Sequence, residues 1–475
     1  MMTTATNITA AMPQNADTAI NADLDRRLDL LLRTGCLLMS SNADTTRIKR
    51  NLSRTADYLG LEDDKINLYL DFDMLMVNYN DEQGSHTKFC ACKHHGIDMT
   101  AITSISHLSW KAIRDDYTLD EYERCLETIA HTPRHYTPWQ VAMGGGLACG
   151  GFCIQFGCDW PSFFYASIAA ILGLRLRTWL VEKGSNTYIC IGVAAFVSTL
   201  LAWLASFISL TPAIVAALPG WMISSTPWHP LLACALFIVP GVPLINFVND
   251  MLAGHTRIGL TRALHTLLIV VAMAFGIAFA IAVCGIDNFV TDLTLVPHHT
   301  YTEYAIAAAI SAMGFSMIFN VSPKMLPVVA IGGIIAVCNR NFVNLGPSTN
   351  NIGLDEGLII GSLAGSTLVS LVAAMASHWV HTPHQCLTIP SVIPMVPGVL
   401  MYRALFALID MQGVVGEVTV AMNNLIKASL VILVIAIGVA IPNIFVRSML
   451  ESRRKLRYYN LLVERHNRRQ AATAE

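Results

Sequence analysis

Residues 236–250 read Leu-Phe-Ile-Val-Pro-Gly-Val-Pro-Leu-Ile-Asn-Phe-Val-Asn-Asp, and residues 393–403 read Ile-Pro-Met-Val-Pro-Gly-Val-Leu-Met-Tyr-Arg. Each is an apolar stretch broken by the same Val-Pro-Gly-Val, at 239–242 and at 396–399. Proline removes a backbone donor and kinks a helix. The glycine beside it adds backbone freedom. After each break comes an amphipathic continuation, a polar interruption and another apolar stretch. In that next stretch residues 265–276 match 427–438 in length, and both continue with aliphatic residues and alanine.

The surroundings of these two copies are apolar over most of the chain. Hydrophobic residues make up 54% of the 475 and charged residues 13%, where an ordinary soluble domain carries about 25% charged. Mean hydropathy is +0.50. A soluble multidomain enzyme is therefore excluded as a class, and a net charge of −2 argues against nucleic acid as a partner. The charge is unevenly placed. Residues 139–446 hold 9 Lys/Arg and 10 Asp/Glu, residues 1–138 hold 14 and 20, and residues from 447 on hold 8 and 3.

A membrane crossing needs about 20 predominantly apolar residues. The expected spans are 139–156, 162–180, 188–209, 229–250 and 264–284, then 301–319, 325–338, 358–379, 387–410 and 425–445. The seventh is short. Basic residues decide sidedness. With the front of the chain cytoplasmic, Arg175, Arg177, Lys183, Arg257, Arg262, Lys324 and the Arg-rich end all fall inside. Residues 209–228 and 285–304, expected outside, carry no Lys or Arg. Arg340 is the exception.

Repeating five spans inverts the second copy relative to the first. Inverted repeats are characteristic of secondary transporters, whose substrate site lies where broken helices meet near the midplane. The expected substrate site is thus Pro240, Gly241, Asn246, Asn249, Pro397, Gly398 and Arg403. Ionisable residues within spans are costly and functional by default. Asp250 and Asp410 are the expected proton carriers, with interfacial span ends as the bland reading. Arg403 is an anion partner or the ion pair of Asp410, unless it snorkels to the surface. Gly357, Gly361 and Gly365, and Gly144–Gly146 with Gly150 and Gly151, read as close helix contacts. Asn320 either lines a cavity or caps a helix.

The front of the chain is different. Residues 1–22 are polar and are expected to form a disordered tail. Residues 23–137 read as a soluble α+β domain. A helix over 23–40 carries Leu24, Leu28, Leu31, Leu32 and Leu38. A second, capped by Asp44, ends at Gly60. Ile66, Leu68, Leu70, Phe72, Met74 and Met76 alternate with polar residues, so this run is one strand or two with a bend. The turn at Asn80–Gly84 leads into a strand over 85–92. Helices follow over 98–113 and from a Thr118/Glu121 capping box to residue 129. Cys90, Cys92, His94 and His95 do not have the usual zinc spacing. Asp71, Asp73, His86, His94, His95 and His107 read as a solvated strand face and loop residues, and no cofactor is implied.

Taken together, these features resemble the threonine/serine exporter family. The carrying residues are Arg33-Thr34-Gly35, Asp44-Thr45-Thr46-Arg47-Ile48 and Ala56 to Leu61. Further on they are Gly150-Gly151-Phe152, Phe156 to Trp160, Val239-Pro240-Gly241 with Asn246 and Asp250, and Ile393 to Gly398 with Tyr402-Arg403. The resemblance implies an all-α polytopic protein of the bacterial inner membrane. It would have about ten transmembrane helices as two inverted five-helix repeats (138–286 and 287–446), a small α+β cytoplasmic N-terminal domain and a basic cytoplasmic tail from 447. It implies proton-motive-force-linked export of threonine and serine, or of succinate-like dicarboxylates. A membrane-anchored enzyme or sensor acting through the front domain is the competing class. The expected partners are a small-molecule substrate and the lipid bilayer. The sequence leaves homo-oligomerisation open.

Overall fold

The structure is a computed structural model, and it describes residues 14–82, 84–92, 95–286, 299–347, 352–377, 379–409 and 415–474. The front domain is built from α1 (Gln14–Ser40), α2 (Thr45–Leu59), β1 (Ile66–Leu70), β2 (Met74–Asp81), β3 (Gly84–Ala91), α3 (Met99–Arg114) and α4 (Leu119–His131). Helix α1 begins at Gln14, so residues 14–22 are helical rather than a disordered tail. Asp44 caps α2 by accepting from the Arg47 N–H, and Gly60 closes it at φ 72°. The alternating run is two strands with a bend at residues 71–73. The sheet is antiparallel in the order β1-β2-β3, with Leu70 opposite Leu75 and Met74 opposite Ala91. Leu28, Leu31 and Leu38 of α1, Leu52 of α2, Leu75 and Val77 of β2, Ile105 of α3 and Tyr122 of α4 are fully buried together.

The apolar part begins with α5 (Pro138–Gln155), α6 (Trp160–Glu182) and α7 (Thr187–Leu210). A short α8 (Pro212–Ala217), a four-residue α9 (Pro230–Ala233), α10 (Gly241–Leu252) and α11 (Thr256–Cys284) follow. Then come α12 (Tyr301–Ile318), α13 (Leu326–Asn344), α14 (Leu358–Ala376), α15 (His384–Val392), α16 (Gly398–Ile409) and α17 (Val415–Ala474). Among the described residues six helices are long and apolar enough to cross a membrane. They are α6, α7, α11, α13 with its preceding turn, α14 and the Val418–Ile441 part of α17. Both Val-Pro-Gly stretches are broken, with bends of 58° between Pro230–Ile238 and Gly241–Leu252 and 53° between His384–Met395 and Gly398–Leu405. Counting each bent pair as one span gives up to eight. The remaining two expected spans, α5 and α12, are 18 residues each; five glycines and two glutamines make α5 less apolar, and Tyr301, Glu303 and Tyr304 do the same at the start of α12.

Helices α5 and α12 lie against one another at the centre. A Cβ on Gly144 would come within 2.9 Å of the Gly314 carbonyl, and one on Gly314 would collide with the Gly144 carbonyl and lie 2.8 Å from the Ala148 nitrogen. Small residues let two backbones approach this closely. Around that axis the pairings repeat. In the first half α5 meets α6, α6 meets α7, α7 meets α11 and α10 meets α11. In the second, α12 meets α13, α13 meets α14, α14 meets α17 and α16 meets α17. Between halves, α10 meets α17 and α11 meets α16.

Two features differ from the sequence expectation. Helix α13 runs on to Asn344, so Arg340 sits inside a helix, 8% exposed and bonded to the Asn341 side chain, rather than in an outer loop. The basic end, expected as a separate tail, continues α17, which runs unbroken over 60 residues from Val415 to Ala474. It returns to the front domain. Tyr458 donates to Asp57, and Arg465 ion-pairs with Asp116 at 2.6 Å and donates to the Tyr58 carbonyl at 2.7 Å. Burial pushes the Asp57 carboxyl above its usual range, against the lowering effect of that Tyr458 bond.

Candidate functional site

The two breaks have the same local geometry. The Gly241 N–H donates to the Val239 carbonyl and the Gly398 N–H to the Val396 carbonyl, both at 2.8 Å. These are tight three-residue turns at the proline. The breaks are buried and seated on each other. A Cβ on Gly241 would collide with Ile393, just ahead of the second break, and a Cβ on Gly398 would lie 2.6 Å from Leu236, just ahead of the first. Neither position has a positive φ, so it is the approach of the Ile393 and Leu236 side chains, and not backbone conformation, that favours glycine here. Pro240, Gly241, Pro397 and Gly398, expected together from sequence, are therefore together.

From the first break, α10 runs to the front domain. Asn246 is 2% exposed and donates from Nδ2 to the Asn42 carbonyl at 2.9 Å. Asp250 is 1% exposed and accepts from the Thr45 N–H at 2.9 Å. It pairs with Arg262 of α11 at 3.3 Å. Arg262 also donates to the Asn42 Oδ1 and, at 3.0 Å, to the Ala43 carbonyl. Asn42 holds this turn between α1 and α2 at φ 61°, a left-handed conformation that asparagine tolerates better than most residues. Next to it, Arg47 donates to Gln385 in the first turn of α15 at 2.9 Å. Half-buried Asn249 has both amide atoms buried with no hydrogen-bond partner among the described residues, as does the Thr266 hydroxyl of α11.

Arg403 lies elsewhere. It is half-buried on α16, and its charge acts on His229 at the start of α9. The same histidine feels Asp159, which caps α6 and accepts from Ser162, Ser224 and Ser225. Asn246 and Arg403 each stand five residues past their glycine, but on opposite sides of the paired breaks. Asp410, the expected ion-pair partner of Arg403, lies outside the described residues.

The front domain's candidate residues have local duties. Asp71 accepts from the Phe72 N–H, His86 faces Asp81, His107 meets the His381 carbonyl, and His95 stacks on Phe72 with ring centres 4.3 Å apart. His94 lies outside the described residues. Among the described residues no three His, Cys, Asp or Glu side chains are grouped to hold a metal ion. Asn320, at φ 53° after α12, donates to Asp98 and accepts from the His135 N–H, so it docks the front domain. The sequence reading missed Asn42, Ala43, Thr45, Arg47, Arg262 and Gln385 as one constellation. Its only signal was the density of capping residues in Ser41-Asn42-Ala43-Asp44-Thr45-Thr46.

Fold and site define a polytopic helical membrane protein with paired broken helices, a construction transporters use around their cargo. The chain belongs to the threonine/serine exporter family: one model of that family matches residues 29–284 and a second matches residues 304–445. A threonine/serine exporter of Corynebacterium glutamicum is 20% identical over 414 residues, covering 85% of this chain and 80% of the relative. The "probable succinate transporter subunit YjjP" of Escherichia coli K12 is 25% identical over 264 residues, 55% of this chain and 96% of the relative. Its namesake in Klebsiella aerogenes is 27% identical over 195 residues, 41% of this chain and 70% of the relative. No solved structure matches the chain.

Proposed function

We propose that this protein exports small polar amino acids, threonine and serine, across a bacterial inner membrane, driven by the proton motive force. The observation that carries this reading is the reciprocal seating of the two broken stretches, Gly241 against Ile393 and Gly398 against Leu236. Two five-element repeats of opposite direction account for it. The repeated helix pairings support that, and so does one contact pattern: the last turn of α10 and the first turn of α15 both touch the α1–α2 turn. The two bent stretches therefore run opposite ways through the bundle.

In this mechanism the halves rock about the paired breaks. The broken backbone at Pro240–Gly241 and Pro397–Gly398 receives the zwitterion. A buried unpaired amide is costly, typically about 1–3 kcal/mol, and a polar ligand at Asn249 relieves that cost. Asn246 and Arg403 contact the substrate on the two sides of the breaks. Asp250, paired with Arg262, carries the proton, with Asp410 as the second acidic group. Both chain ends are cytoplasmic. The inward bias of basic residues supports this, and the contact of α17 with Asp57 and Asp116 keeps both ends on one side.

The test is efflux of labelled threonine from cells expressing the protein, with and without an uncoupler. Arg403→Ala and Asp250→Asn both exporting at the wild-type rate would refute the residue assignment. One observation favours a dicarboxylate as second reading. Arg403 supplies a half-buried cation on α16, and the relatives YjjP carry succinate in their names. Counterflow with labelled threonine and succinate separates the two. An enzyme or sensor predicts ligand turnover or binding by the front domain.

A further inference from the structure

Part of the seam between the front domain and the membrane bundle is a buried patch of charged and polar groups, with apolar contacts elsewhere along it. Asp44, Arg47, Asp250 and Arg262 are each no more than 8% exposed. Each ion pair lies on one side of the seam, Asp44 with Arg47 and Asp250 with Arg262, so the bonds that cross this patch are hydrogen bonds. Water replaces such bonds at little net cost when the patch opens. The α1–α2 turn and the first turn of α2 together reach both halves of the bundle. Asn42, Ala43 and Thr45 hold α10 and α11 of the first half, and Arg47 holds Gln385 of α15 in the second. While these bonds stand, the halves are tied together at this end. Helix α17 supplies the coupling. It runs unbroken from its membrane-length apolar part to Asp57, Tyr58 and Asp116 of the front domain, so displacing the span displaces the domain.

We propose that the α1–α2 turn and the first turn of α2 form the inner gate of the transporter, and that the Arg47–Gln385 contact is the latch that opens to admit substrate from the front-domain side. The gate rests on the transport reading for its consequence, though not for its geometry. It gives the front domain a task in the transport cycle, and it explains why an asparagine occupies a left-handed position. In that conformation the Asn42 carbonyl and side chain face Asn246 and Arg262 at once.

A native reporter sits beside the latch. Cys386, next to Gln385, is 3% exposed, and Cys149 at the centre of α5 is fully buried. The experiment uses the full-length protein in inside-out membrane vesicles, treated with N-ethylmaleimide, with modification of each cysteine followed by peptide mass spectrometry. Arg47→Ala and Gln385→Ala should each raise the labelling rate of Cys386 at least ten-fold, with Cys149 still protected. The double variant should label no faster than the faster single one. Gln385→Ala leaves the front domain's own residues intact, so it reads the latch even if Arg47→Ala folds poorly. Unchanged Cys386 labelling in Gln385→Ala overturns the proposal, and so does parallel labelling of Cys149. Labelling needs no substrate. Faster Cys386 labelling without threonine flux in the wild type keeps the gate and removes the substrate reading. Unchanged labelling in an active exporter does the reverse.

Discussion

Removing Arg262 should damage the protein more than neutralising Asp250, and removing both should cost less than the sum. The two groups are 3.3 Å apart, with side chains 7% and 1% exposed. At that separation, with an effective dielectric constant near 20, their attraction is about 5 kcal/mol, most of it offset by dehydrating both ions. Arg262→Leu leaves a buried carboxylate with the Thr45 N–H as its backbone donor, a situation that costs about 3–5 kcal/mol. Asp250→Asn keeps an oxygen for the Thr45 N–H, and Arg262 keeps the Asn42 Oδ1 and the Ala43 carbonyl. Its cost should fall at or below about 3 kcal/mol. The double variant removes both charges, and a coupling of about 2–3 kcal/mol is expected from the cycle. SDS-titrated unfolding in mild detergent micelles measures all four proteins. Strict additivity, or an Arg262→Leu variant as stable as the wild type, would show that the pair does not stabilise the α10–α11 face on which the front domain sits.

Other perturbations separate the parts of the account. Gly314→Ala places a methyl 2.8 Å from the Ala148 backbone nitrogen and should cost about 1–3 kcal/mol or more. Gly220→Ala, with open space around it, should stay within about 0.5 kcal/mol of wild type in the same SDS titration. Arg465→Ala removes an ion pair, a carbonyl contact and a cation stacked 4.7 Å over Tyr58, so limited proteolysis should cut the end of α17 at least several times faster. Arg26 holds Asp120 and Glu123 below the usual carboxylate range. Their tie between α1 and α4 is therefore in place above the ordinary value near pH 4 and fades as the pH falls through their lower folded values. The melting temperature should fall across that window, and Arg26→Gln should flatten the fall.

Much of this architecture is legible in residue order. Thr118 and Glu121 announce a capping box, and Gly60 marks a helix end; both are where local chemistry puts them. The paired Val-Pro-Gly sequences mark the breaks, because proline and glycine act on their own backbone. The strand run left one strand or two with a bend open, since the period-two alternation continues through residues 71–73, where the bend falls. Residue order places α5 and α12 among the spans, although neither is among the six helices long and apolar enough to cross on that ground alone. The site was half visible. Polar residues inside an apolar run identify Asn246 and Asp250 as costly. Nothing local shows that their partners lie about 200 residues earlier, in a helix cap. Asp44 reads as the cap of its own helix, as caps do in most folds, and Thr45 and Arg47 only as part of a family motif. Arg403 was grouped with Asn246 because both are polar residues following a Val-Pro-Gly break. Asn246 meets the α1–α2 turn, whereas Arg403 lies near His229, so the grouping does not hold in space.

The most direct test of the central claim is efflux from proteoliposomes loaded with labelled threonine, under an imposed proton gradient and again after an uncoupler. The account predicts gradient-driven threonine efflux that collapses with the uncoupler and is lost in Asp250→Asn. Threonine efflux indifferent to the uncoupler, or succinate efflux with threonine held inside, would contradict it.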